Sequence, residues 1–137
     1  MSTQNVELVR GLYDAMLRGD MAAVFAQFAP NSRIIEPETL PYGGEYHGVA
    51  GLQQLFEKVF AVWEEFGITA EKMLAEGDTV VALVTLRGTL RGVEQPIAMQ
   101  IAEYWELRDG KVTLCRPFYG DSGLITKLLA ERQGAPA

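Results

Sequence analysis

The sequence predicts an α+β fold in which N-terminal helices cover one face of a curved antiparallel sheet. Apolar residues in the first third recur at three- and four-residue spacing, the period of a helix with one buried stripe. In the second half they fall in runs separated by tight turn signals, the pattern of an antiparallel meander. The run 97–107 also alternates. One parity carries Ile97, Met99, Ile101, Glu103, Trp105 and Leu107, the other Ala98, Gln100, Ala102, Tyr104 and Glu106. The first set is the more apolar and is expected to face the helices.

Val6, Val9, Leu12, Tyr13 and Met16 form the stripe of a first helix, and Gly19 is its expected stop. Asp20 is a suitable N-cap for a short second helix that turns Val24, Phe25 and Phe28 inward and ends before Pro30. A short strand is expected over 32–36, cut off by Pro37. The turn-rich segment 39–48 has room for one very short strand at 45–47. A third helix follows Gly48, with Leu52, Leu55, Phe56, Val59, Phe60 and Trp63 on one face. Strands are then expected over 71–75, 79–90, 97–107 and 112–119, with a hairpin signal at 108–111. A closing helical turn is expected at 124–130.

The 137 residues, 48% hydrophobic and 22% charged, have the size and composition of one globular domain, 1–137, with a frayed tail at 133–137. A net charge of -6 disfavours nucleic acid as a partner. No apolar stretch is long enough to span a bilayer, and the first residues lack the basic and apolar regions of a secretory signal. One cysteine, Cys115, permits no intrachain disulfide and suggests a reducing cytoplasm. A single histidine makes a histidine-rich metal site impossible. No Gly-rich phosphate loop, paired-cysteine site or nucleophile elbow occurs, so no metal or organic cofactor is expected.

Glu103 is the most informative residue, a carboxyl group in an otherwise apolar row. Burial without a partner raises a carboxyl pKa, and a neutral glutamic acid can donate a hydrogen bond to a developing oxyanion. The alternative is an ion pair with an arginine such as Arg116 across the sheet. Glu36 ends the apolar pair Ile34-Ile35 before Pro37, a strand-end setting suited to a general base. It is otherwise an exposed loop acid, a place Glu38 fills equally well. His47 can titrate near neutrality or sit solvated in its loop. Asp121 either lines the cavity beside Tyr119 or caps the last helix. Tyr13 and Trp63 are core residues that can present a hydroxyl or an indole N–H to a pocket. Met99 and Trp105 share the inward row with Glu103. Cys115 is expected to be a buried small hydrophobe rather than a nucleophile.

These residues together resemble a known group. Leu-Tyr-Asp-Ala-Met-Leu-Arg-Gly-Asp, Ile-Ile-Glu-Pro, Leu-Pro-Tyr-Gly-Gly-Glu-Tyr-His-Gly, Glu-Tyr-Trp-Glu-Leu-Arg-Asp-Gly-Lys-Val and Arg-Pro-Phe-Tyr-Gly-Asp follow one another in that order. Over about 6–124 this order is similar to the SnoaL-like and ketosteroid isomerase-like branch of the nuclear transport factor 2-like superfamily. The resemblance implies a cone-shaped, cystatin-like fold: a strongly bent, mixed but mainly antiparallel sheet around three N-terminal helices, open to a pocket. It implies a cofactor-independent acid/base isomerase or cyclase for an apolar, ketosteroid- or polyketide-like carbonyl substrate. The alternative is a non-catalytic binding or dimerisation module. By position Glu36 is similar to the aspartate base of ketosteroid isomerases and Glu103 to their protonated aspartic acid. Tyr13 or Tyr119 would supply the hydroxyl. Tyr13, His47, Trp63, Met99, Trp105, Tyr119 and Asp121 are the expected substrate contacts. A homodimer through the outer sheet face, where Ala98, Gln100, Ala102 and Tyr104 lie, is also implied.

Overall fold

Apolar stripes, caps and turn residues set the order of the elements. The computed structural model describes residues 2–134. It runs α1 (Ser2–Arg18), α2 (Met21–Ala26), β1 (Phe28–Glu36), β2 (Gly44–His47), α3 (Gly48–Val62), β3 (Trp63–Glu76), β4 (Thr79–Leu90), β5 (Ile97–Arg108), β6 (Lys111–Tyr119) and α4 (Ser122–Gly134). The strands form one sheet in the order β2-β1-β6-β5-β4-β3. All neighbours are antiparallel except β1 and β6, which run parallel.

The helices lie against the inner face. α1 packs on β3 and β4, while α3 packs on β1 and β2 at one edge and reaches β3 at the other. Ile34 and Glu36 of β1 line one cavity with Phe66 and Ile68 of the far edge strand β3, so the sheet bends around it. Register shifts in β3, near Glu64 and Glu71, and in β1 between Phe28 and Arg33 mark places where strands bend. The buried core follows the inward parity: Val80, Val84 and Leu86 from β4, Ile101 and Trp105 from β5, with Leu12 and Leu52 from the helices. The apolar-in reading of 97–107 holds, with Ile97, Ile101, Glu103, Trp105 and Leu107 buried and Met99 half-buried. The 108–111 hairpin has its two central residues at positive φ, Asp109 at 52° and Gly110 at 76°, the backbone of a two-residue primed turn.

Several boundaries differ from the sequence expectation. The third helix ends at Val62. Trp63 is extended, pairs with Leu90 and begins β3, so its indole belongs to the sheet rather than to the helix face. The strand expected at 71–75 spans Trp63–Glu76, because its bulges break the two-residue alternation that would reveal it. β1 begins at Phe28 instead of at 32: Phe28 pairs with Val112, and the irregular stretch before Arg33 accommodates Pro30. The closing turn at 124–130 is a 13-residue helix, α4. Of the tail expected at 133–137, α4 takes in 133 and 134, and 135–137 lie outside the described residues. Among the described residues no helix is long and apolar enough to cross a membrane.

Candidate functional site

Two carboxyl groups meet the inner cavity from different strands. On β1 the alternation turns Ser32, Ile34 and Glu36 inward, and Pro37 ends the strand with Glu36 as its last residue. On β5 Glu103 sits between Ile101 and Trp105, opposite Ala82 of β4 and Pro117 of β6, which bring no counter-charge. Both glutamates are 7% exposed. The ion pair with Arg116 does not form: Arg116 pairs with Tyr104, is exposed, and lies over the Phe118 ring at 5.3 Å.

The Tyr13 hydroxyl, delivered by α1, donates to Glu103 Oε1 at 2.5 Å and accepts from Trp105 Nε1–H at 3.0 Å. The Tyr13 and Trp105 rings meet edge-on with centroids 5.9 Å apart. Tyr13 is therefore the hydroxyl beside the acid, while the Tyr119 hydroxyl bonds to Tyr42 at 3.0 Å. Trp63 Nε1–H also donates to the Tyr42 hydroxyl, at 3.2 Å, and the Tyr46 hydroxyl donates to the Tyr42 carbonyl at 2.8 Å. Tyr42, which the sequence reading passed over inside a turn-rich segment, is thus a buried hub beside the site. Its signal was an aromatic residue among prolines and glycines. Gly43 helps to seat it, since a Cβ there would meet the Pro37 carbonyl oxygen at 2.4 Å.

Glu36 and Glu103 line one interior cavity of about 70 Å³ with Trp105, Cys115 and Tyr119. α3 supplies its apolar wall, and no Lys, Arg or His lines it. The largest depression, about 800 Å³ between Glu65, Arg87, Thr89 and Pro96, lies elsewhere and is wide open; its charged side chains are exposed. The smaller cavity is the one that brings buried carboxyl groups together.

Burial, with the Glu103 charge behind it, pushes the Glu36 pKa up to about 8. Glu36 Oε1 has no hydrogen-bond partner. Burial also pushes Glu103 up, to about 7, against the opposing effect of the Tyr13 hydrogen bond. The pair thus titrates around neutrality, where acid/base catalysts work best. Burial first, then the Glu103 charge, drives the Tyr13 phenol far above its ordinary range, so it stays neutral. The same two influences, joined by Glu36, push the Cys115 thiol well up, so no thiolate nucleophile is available.

Five expected contacts do not line the cavity. Tyr13 reaches it only through its hydrogen bond to Glu103. His47 is exposed at the end of β2, its Nε2 3.1 Å from Glu45 Oε2, because strand alternation turns Tyr46 inward and His47 outward. Asp121 caps α4, accepting from the Leu124 N–H at 3.1 Å, and points to solvent. Trp63 is buried with Tyr42 but does not line the cavity. Met99 shares the inward parity yet lies beyond the cavity's walls.

The SnoaL-like domain profile matches residues 9–115. The chain belongs to the SnoaL-like family. Its fold recurs in an NTF2-like protein of unknown function from Burkholderia pseudomallei, 25% identical, with a TM-score of 0.85 over 93% of this chain and 98% of that one. TerC, crystallised with polyporic acid, is 24% identical, with a TM-score of 0.83 over 93% and 98%. A protein with a ketosteroid isomerase-like fold from Catenulispora acidiphila, in complex with trimethylamine, is 19% identical, with a TM-score of 0.78 over 95% and 98%. The last two likenesses establish the shared architecture alone. A search of the curated proteins by sequence found no match.

Proposed function

We propose that this SnoaL-like chain performs cofactor-independent acid/base chemistry, an isomerisation or cyclisation, on a carbonyl compound with an apolar body. The observation that carries the reading is a pair of buried carboxyls without a counter-charge in one apolar cavity, their pKa values raised into the neutral range. The hydrogen bonds favour roles opposite to those the resemblance implied. The Tyr13 hydroxyl has one proton to give and gives it to Glu103, which stabilises the carboxylate form there. Glu36, with an unpartnered oxygen, is the member that holds the shared proton. In an isomerisation Glu103 takes a proton from the carbon next to the carbonyl. The C–H electron pair moves into the enolate, and neutral Glu36 donates a hydrogen bond to its oxygen. Glu103 then returns the proton to a different carbon. Tyr13 and Trp105 act as positioning residues, holding the base.

The test is turnover of a β,γ-unsaturated ketone by single variants. Glu103→Gln is expected to lose roughly 10²–10⁴-fold in kcat. Glu36→Gln loses less, because an amide still donates a hydrogen bond. Tyr13→Phe removes the bond that lowers the Glu103 pKa, so the acidic limb of the pH–rate profile shifts upward. Wild-type rates in both glutamate variants would end the acid/base reading.

The small cavity favours a second reading, a non-catalytic pocket protein. Ligand binding without turnover in any variant would select it. We also infer a homodimer through the outer sheet face, and a cytoplasmic setting in keeping with a single buried thiol.

A further inference from the structure

The cavity that Glu36 lines does not stop at the carboxyls. A vestibule of about 100 Å³ adjoins it, sharing Met16, Phe56, Phe66 and Ile68 as walls. It ends at Leu17 and Phe60, large apolar side chains left 59% and 46% exposed. No charged side chain lines the vestibule. We propose that the carboxyl pair serves an uncharged molecule of about one ring, carrying one carbonyl group, that enters through this vestibule between α1, α3 and β3. The proposal rests on the acid/base reading above for the chemistry, and independently on volume and lining for the size.

Size follows from packing. Pockets for drug-sized ligands occupy roughly 300–1,000 Å³, whereas a cavity of about 150 Å³ lined by apolar side chains admits benzene. The inner cavity and vestibule match the second case once their shared wall parts. That wall rests on the Phe56 side chain, which stacks on Phe60 at 5.8 Å and tilts against Phe25 at 6.3 Å. A four-ring skeleton would need several walls displaced at once, and close-packed interiors resist that.

Polarity follows from Glu36. Its buried Oε1 lacks a partner and, unlike Ser32 Oγ, which also lacks one, belongs to a residue that lines the cavity, so a ligand gains most by bringing one complementary polar group to that end and apolar surface to the rest. A ligand carboxylate would meet the Glu103 charge in a cavity that no cation lines.

The experiment is a nuclear magnetic resonance titration of the full chain, following the Trp105 indole N–H. The probes are 2-cyclohexen-1-one, a four-ring steroid enone and trimethylamine hydrochloride. Cyclohexenone is expected to shift that signal and to bind at least about tenfold tighter than either competitor. Met16→Trp, which fills the vestibule, should weaken it about tenfold. Leu17→Trp narrows the exposed rim without entering the core and should weaken it several-fold, so the route is tested even if the first variant fails to fold. Tighter binding of the steroid or of trimethylamine overturns the proposal. So does a Trp105 signal unmoved by cyclohexenone, or wild-type affinity in whichever rim variants fold. Cyclohexenone binding without turnover of any enone would leave this proposal standing and end the acid/base reading. Turnover of the four-ring enone would do the reverse.

Discussion

Glu103 was legible in the sequence because strand parity is a strict two-residue code: one acid in a row of Ile101, Trp105 and Leu107 has to be buried or break the pattern. What holds it was not legible, since Tyr13 lies 90 residues away and no local pattern links the two. Tyr42 escaped for a related reason; turn chemistry describes backbone and says nothing of which loop side chain turns inward. The site has a measurable cost. A carboxyl whose folded pKa lies above its unfolded value binds extra proton in the fold, so its stabilising contribution is complete below about pH 4.5 and is lost as pH rises. Denaturant midpoints should therefore fall between about pH 5 and pH 8, as the unfolding free energy drops by on the order of a few kcal/mol in all. Glu36→Gln should flatten the upper part of that decline. A midpoint rising with pH over this interval would contradict the buried-pair assignment.

Among the elements, helices with clean stripes and strands with clean alternation were placed within a few residues, and β3 was not. Its bulges shift the side-chain phase near Glu64 and Glu71, so apolar residues stop alternating although the backbone stays paired to β4 throughout. The bulge near Glu64 also brings the β3 backbone over Gly88, where a Cβ would meet the Glu65 carbonyl oxygen at 2.1 Å and Trp63 Cε3 at 3.1 Å. Gly88→Ala must push β3 away and is expected to destabilise by about 1–3 kcal/mol. At Gly67, two residues further along the same strand, a Cβ would meet nothing closer than the Arg87 carbonyl oxygen at 3.9 Å. Gly67→Ala should leave the urea midpoint almost unchanged. Equal effects at the two positions would mean that the close crossing at Gly88 does not constrain the fold.

For the whole molecule, the same parity that fills the cone leaves its outer surface half apolar. Register brings Leu83, Ala102 and Phe118 into one row across β4, β5 and β6, with Leu74 beside Val81 and Tyr104 in the next. Leu74, Leu83 and Phe118 are 55%, 37% and 52% exposed, and charged neighbours such as Lys72, Glu106 and Arg116 alternate around them. The homodimer proposed above would use this face, because a two-fold axis through the central row would set apolar residues against apolar ones and allow acidic and basic rim groups to meet. Light scattering should report a dimer for the wild type at micromolar concentration. Leu83→Glu with Phe118→Glu should give a monomer that keeps its near-ultraviolet spectrum, because neither side chain belongs to the inner core. A wild-type monomer, or a double variant that stays dimeric, would move the interface elsewhere. Since Glu103 and Ala102 are consecutive on β5 and face opposite ways, the double variant also asks whether the inner site depends on the outer contact. With the carboxyl pair enclosed by one chain's own helices, the monomer should retain the midpoint decline between pH 5 and pH 8.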